Sequence, residues 1–241
     1  MVSVVTGGAS GLGRALCQEL ANSGNAVALL DVTEERGQRV SEEVGAAFYQ
    51  CDVSSREQWA QVAVDISSNL GTPDFVALNA GVMTRPPSAT LGDDILEWVG
   101  RGAYDRIMRT NVDGVIYGLE AMVPLMKGGG AIVVTASAAG LIPFPADPFY
   151  AATKHALIGM VRSFGPVLVE KDIRINAFCP GGIDTAIVPD ELKQFADLNM
   201  PPEEAARAIL DIRGMQESGA AFVRTTTQTT LKRFEAPEIA F

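Results

Sequence analysis

Short apolar runs alternate along the chain with longer segments whose apolar residues recur at helical spacing. The runs at 2–5, 26–30, 46–51, 75–78, 131–135, 173–178 and 220–223 lack strict apolar/polar alternation, as expected of strands covered on both faces. Between them, 12–21, 33–44, 54–70, 104–126, 150–169 and 202–212 read as amphipathic helices. Thr33 and Ser54 stand where N-caps are expected, and Pro202 sits in a first turn, where proline is tolerated. This strand–helix alternation predicts one α/β domain over 1–241, a doubly wound parallel sheet of about seven strands with helices on both faces. The stretches 84–101 and 184–200 are the least regular and are expected to be loops on the substrate side. The second, with Pro189 and Pro201-Pro202, reads equally as a lid or as an ordinary connecting helix. The threonine-rich tail beyond Arg224 predicts no particular element.

Composition narrows the function classes. The 241 residues are 47% hydrophobic and 20% charged, which suits a folded core, and the net charge of -10 argues against a phosphate-backbone partner. Three cysteines, Cys17, Cys51 and Cys179, match no zinc spacing and read as buried thiols in a reducing cytoplasm. The lone His155 excludes a multi-histidine metal site, and no metal is expected. No secretory leader and no membrane span are read from the N-terminus or the hydropathy.

Between the first strand and the first helix lies Thr6-Gly7-Gly8-Ala9-Ser10-Gly11-Leu12-Gly13. Glycines there let a pyrophosphate approach the backbone, and the helix N-terminus supplies N–H donors, so the turn suits a dinucleotide as in Rossmann-type folds; alone it is also a tight turn. Asp31 ends the second strand, 18 residues after Gly13, where an acidic side chain meets the adenosine ribose; its other reading is a helix-capping aspartate. Tyr150 and Lys154 lie one helical turn apart, with Ser137 thirteen residues before the tyrosine.

The G-x-x-x-G-x-G spacing, taken with Ser137, Tyr150 and Lys154, resembles the short-chain dehydrogenase/reductase family in its roughly 250-residue form. Cys51-Asp52-Val53, Asn79-Ala80-Gly81 and Pro180-Gly181-Gly182-Ile183-Asp184-Thr185 are similar to further family segments. The resemblance implies that Tyr150 is the general base in oxidation and the general acid in reduction. Ser137 would bind the substrate oxygen, Lys154 the ribose, and Asn111 a water that links the lysine to solvent. It implies cofactor contacts from Gly7, Ser10, Gly11, Leu12, Gly13, Asp31, Val32, Asp52, Val53, Asn79, Ala80, Gly81, Pro180, Gly181, Ile183 and Thr185, besides Tyr150 and Lys154.

A free tyrosine titrates near ~10, so a neighbouring ammonium and the nicotinamide's charge are expected to lower it. Asp31, with uncharged Ser10 and Val32, predicts NAD(H) over NADP(H); Arg14 and Arg36 are expected to point away. The surroundings expected for substrate, beside Ser137 and Tyr150, are Met83, Ala139, Leu141, Phe144, Ile187 and Val188, mostly apolar. They suit a hydrophobic secondary alcohol or its ketone. The alternative is a catalytically silent dinucleotide-binding scaffold of the same fold, which the intact set of four residues disfavours. An enoyl reductase would space the tyrosine and lysine differently, and paired-carboxylate chemistry has no second signal. A homodimer or homotetramer is expected, paired through the helices of Asn111 and Tyr150.

Overall fold

The computed structural model describes residues 1–86, 88, 90, 92–185, 191 and 199–235. Its strands are β1 (Val2–Thr6), β2 (Ala26–Asp31), β3 (Ala47–Gln50), β4 (Pro73–Leu78), β5 (Gly130–Thr135), β6 (Ile173–Pro180), β7 (Ala221–Arg224) and β8 (Lys232–Arg233). They form one eight-stranded sheet in the order β3-β2-β1-β4-β5-β6-β7-β8, one strand more than expected. Every pairing is parallel except β7 with β8, so the sheet is not purely parallel: the two-residue β8, in the segment left unassigned, turns back along the edge. The chain reverses its direction of winding between β1 and β4, and a crevice opens there at the carboxyl edge.

The helices are α1 (Gly11–Asn22), α2 (Glu34–Val44), α3 (Arg56–Asn69), α4 (Ile95–Gly100), α5 (Ala103–Met108), α6 (Gly114–Met122), α7 (Pro148–Val169) and α8 (Pro202–Gly214). Successive strand residues point to opposite faces. Val5 and Leu29 pack with Leu16, Leu20, Val40 and Ile209 of α1, α2 and α8. Val4 and Leu30 pack with Trp59, Leu119 and Leu157 of α3, α6 and α7. Among the described residues no helix is long and apolar enough to cross a membrane.

Local chemistry accounts for most boundaries and for four corrections, the last being helix α4 within the expected loop 84–101. Ser55, not Ser54, caps α3, its hydroxyl accepting from the Gln58 amide at 3.3 Å, while Ser54 donates its hydroxyl to Asp52 at 2.7 Å. Thr33 makes no side-chain cap to α2; instead Asp31 accepts from the Thr33 amide at 3.0 Å. The helix expected over 104–126 is broken into α5, a π-helical turn at Arg109–Asp113, α6 and a 3-10 turn at Val123–Leu125. One extra residue in the π turn buries Asn111 completely. Within 84–101, α4 begins at an Asp94 cap.

Leu16 is fully buried between α1 and its neighbours. Leu16→Ala is therefore expected to lower stability by ~2–5 kcal/mol, read as a lower urea midpoint with an unchanged slope; a loss under ~1 kcal/mol would mean that this layer is not packed as described.

Candidate active site

The carboxyl ends of the strands are held together by side chains that the parallel ladder leaves free. Thr6, at the end of β1, accepts at its hydroxyl from the amides of Asn79 and Ala80, each at 2.9 Å. The Asn79 amide group donates back to the Thr6 carbonyl at 3.1 Å and accepts from the Thr135 hydroxyl at 3.1 Å. The Thr135 carbonyl in turn accepts from Lys154 Nζ at 2.8 Å. This chain of bonds runs from β1 across β4 and β5 to α7. Thr6 opens the glycine turn but was given no contact of its own, and Thr135 was not expected in the site and no spacing signal marks it.

Above this edge lies a cleft of about 1020 Å³. One end is lined by Gly7, Ser10, Gly11, Leu12, Asp31, Val32, Asp52 and Val53. Asn79, Ala80, Gly81, Pro180, Gly181, Ile183 and Thr185 line its middle, and Met83, Ser137, Ala139, Phe144, Tyr150 and Lys154 also face it. The sequence-predicted residues are thus brought together, with four differences. Gly13 does not line the cleft; a Cβ there would lie 2.0 Å from the Gly7 carbonyl oxygen, so its role is to let α1 start against β1. Leu141 packs against the core, and its neighbour Ile142 lines the cleft, because a 3-10 turn at Ala138–Gly140 resets which side chains face in. Arg36, expected to face away, lines the cleft beside Val32 and donates to the Thr33 hydroxyl at 3.0 Å. Asn111 is buried behind the wall, its side chain accepting from the Val82 amide and donating to the Val82 carbonyl and the Thr153 hydroxyl. Ile187 and Val188, and most of 184–200, lie outside the described residues. Asn199, Thr225 and Thr226 also line the cleft without having been expected.

The residues present fit a dinucleotide. Ser10 precedes α1 without capping it through its side chain, so among the described residues the first-turn amides face the cleft with no side-chain acceptor. Gly11 has φ 48°, and a Cβ there would lie 2.8 Å from a Thr185 methyl, so the phosphate end tolerates no bulk. Asp31, buried at the far end, accepts from the amides of Ala9 at 3.1 Å and Thr33 at 3.0 Å, which fixes its carboxylate at the cleft wall. Arg14 is drawn off to Glu43 at 2.8 Å.

At the other end Tyr150 and Lys154 share one face of α7, with Nζ 5.4 Å from the phenol ring centroid. Burial pushes the Tyr150 phenol up to about 12; the Ser137 hydrogen bond pulls it down and the Asp147 charge pushes it further up. Burial pulls the Lys154 ammonium down to about 8, with Cys179 opposing. Among the protein's own groups, burial is the largest influence on the Tyr150 phenol. Phe144 meets the Tyr150 ring edge-on at 6.3 Å. His155 turns to the outside of α7, its ring bonded to the Ala151 carbonyl at 2.9 Å. Cys179 is buried, with its thiol pushed up to about 12 by burial.

Comparison with known proteins shows the family and the fold. The sequence model of the short chain dehydrogenase family matches residues 1–195. A 3beta-hydroxysteroid dehydrogenase from Mediterraneibacter gnavus is 30% identical over 98% of this chain and 84% of its own. A (+)-cis,trans-nepetalactol synthase from Nepeta racemosa is 34% identical over 77% of this chain and 71% of its own. The crystal structure of a 3-ketoacyl-ACP reductase from Sinorhizobium meliloti superposes with a TM-score of 0.82 at 27% identity, covering 93% of this chain and 97% of that one.

Thr6→Val keeps the shape of the side chain but removes the acceptor of two amides at the carboxyl edge. The expected loss is ~1–3 kcal/mol of unfolding free energy; a variant as stable as the parent would show that Thr6 does not hold Asn79 and Ala80.

Proposed function

The chain belongs to the short chain dehydrogenase family, an oxidoreductase family that binds nicotinamide dinucleotides, and from that premise we propose that it interconverts a hydrophobic secondary alcohol and its ketone with NAD(H). The observation that carries this reading is the single cleft lined by Gly7 and Asp31 toward one end and by Ser137, Tyr150 and Lys154 at the other. Bound there, the dinucleotide supplies the acceptor or donor of a hydride. Tyr150 takes the hydroxyl proton of the alcohol in oxidation and returns it to the carbonyl oxygen in reduction. Ser137 donates a hydrogen bond to the oxygen as its charge grows. Lys154, anchored on Thr135, places a positive charge beside the phenol and reaches toward the ribose. Asn111 holds Val82 and, through Thr153, the first turns of α7. Met83, Ala139, Ile142 and Phe144 make an apolar wall that suits a ring or chain of hydrocarbon. In the same reading two copies pair through the exposed apolar side chains of α5, α6 and α7, including Tyr104, Ile116, Phe164 and Val167, as a homodimer or within a homotetramer.

Tyr150→Phe is expected to bind NADH as the parent does and to lose at least ~10²-fold in kcat, the low end of acid–base contributions. The assay follows NADH absorbance across alicyclic, aromatic and steroidal alcohols. A phenol raised by burial is mostly protonated at neutral pH, so oxidation, which needs the phenolate, rises with pH. Lys154→Met removes a charge that favours the phenolate and should carry that limb to higher pH. A kcat within a few-fold of the parent for Tyr150→Phe, or an unmoved limb for Lys154→Met, would take these residues out of their roles.

Cofactor choice follows from Asp31. Its carboxylate accepts from ribose hydroxyls, and it would face a 2′-phosphate of like charge. A preference for NAD of at least ~10-fold in kcat/KM, about 1.4 kcal/mol, is expected. Asp31→Ser combined with Val32→Arg should narrow or reverse it. Equal efficiency with NADP in the parent would assign the phosphate to Arg36.

A further inference from the structure

Asp147 is 1% exposed, in the first turn before the residue assigned as the acid–base group, and nothing in the mechanism above uses it. Its carboxylate is nevertheless fully engaged. Oδ1 accepts from the Thr84 hydroxyl at 2.7 Å and from the amide of Tyr150 itself at 3.0 Å. Oδ2 accepts from the Thr84 amide at 2.8 Å. One side chain therefore caps α7 at Tyr150 and grips the loop after β4.

That loop is gripped elsewhere as well. Asn111 holds both backbone groups of Val82, and Arg106 donates to the carbonyls of Met83 and Thr84 at 2.9 and 3.0 Å. Met83, a wall of the cleft, is thus fixed on either side. Of these three clamps only Asp147 also bonds Tyr150.

We propose that Asp147 is a positioning residue for the acid–base step, locking the turn that presents Tyr150 to the loop that presents Met83, so that proton transfer and the substrate wall are set by one carboxylate. This inference rests on the reading of Tyr150 as the proton-transferring group. The negative charge of Asp147 also disfavours the phenolate. Other charged or titratable groups around this end are Lys154 and His155 of α7, Cys179 of β6, Arg85 of the loop after β4, and Tyr104, Asp105, Arg106 and Arg109 of α5 and the π turn. The Asp147 side chain bonds the Tyr150 amide directly.

The test compares the parent, Asp147→Asn, Asp147→Ala and Tyr150→Phe. Asparagine keeps an oxygen for the Tyr150 amide but removes the charge and the acceptor for the Thr84 amide. Two readouts are taken: the pH profile of kcat for the best alcohol of the panel, and a phenolate absorbance titration with saturating NAD. Subtraction of the Tyr150→Phe titration isolates Tyr150. Asp147→Asn is expected to move both midpoints to lower pH. Asp147→Ala is expected to lose ~10-fold or more in kcat, as misplacement of a reacting group does, with its affinity for NADH within two-fold of the parent. A cap that only stabilised the helix would lower Tm in Asp147→Ala and leave the midpoints of Asp147→Asn in place; that result overturns the inference while Tyr150→Phe remains inactive. If Tyr150→Phe itself turns over like the parent, the acid–base reading falls and this inference falls with it.

Discussion

A Cβ on Gly13 would lie 2.0 Å from the carbonyl oxygen of Gly7 and 2.9 Å from Nδ2 of the Asn79 side chain. The absence of that atom lets α1 begin almost in contact with β1 and β4, and much of the site follows from this approach. It brings the uncapped first turn of α1 over the crevice where the winding reverses. Thr6 ends β1 beside the end of the paired β4, so its hydroxyl binds the backbone of Asn79 and Ala80, and through Asn79 and Thr135 the hydrogen-bonded edge reaches Lys154. The cofactor end and the chemical end of the cleft are parts of one hydrogen-bonded edge, built on a sheet buried on both faces.

At the chemical end two opposing effects are set against each other. Taking a phenol out of water raises it, and taking an ammonium out of water lowers it; Tyr150 and Lys154 show both shifts, to about 12 and about 8. Each group is thereby moved toward its neutral form. Ser137 works in the other direction, as a hydrogen bond to the phenol oxygen. A cationic nicotinamide close by would favour the phenolate further, which ties the basicity of Tyr150 to cofactor binding.

Periodicity and short motifs made the strands, most helices and most of the residues that line the cleft legible. Tyr150 and Lys154 share a face because they are one turn apart, and Asp31 is found by its distance from the glycine turn. What was hidden depends on contacts between distant parts of the chain. Asp147 and Thr84 are 63 residues apart, and neither has a spacing that marks it. The π turn that buries Asn111 interrupts a helix whose apolar pattern reads as continuous. Leu141 and Ile142 exchange roles because a short 3-10 turn has no sequence period to reveal which one faces the cleft. The pairing of β8 rests on two exposed basic residues, Lys232 and Arg233, a composition that carries no strand signal.

The most direct test of the account is the fate of the hydrogen on the carbinol carbon. Cyclohexanol deuterated at that carbon is incubated with NAD and either the parent or Tyr150→Phe, and the NADH formed is weighed by mass spectrometry. Direct hydride transfer in this cleft predicts one deuterium in the NADH from the parent, none lost to water, and almost no NADH from the variant. Unlabelled NADH, or equal labelled product from both proteins, would contradict it.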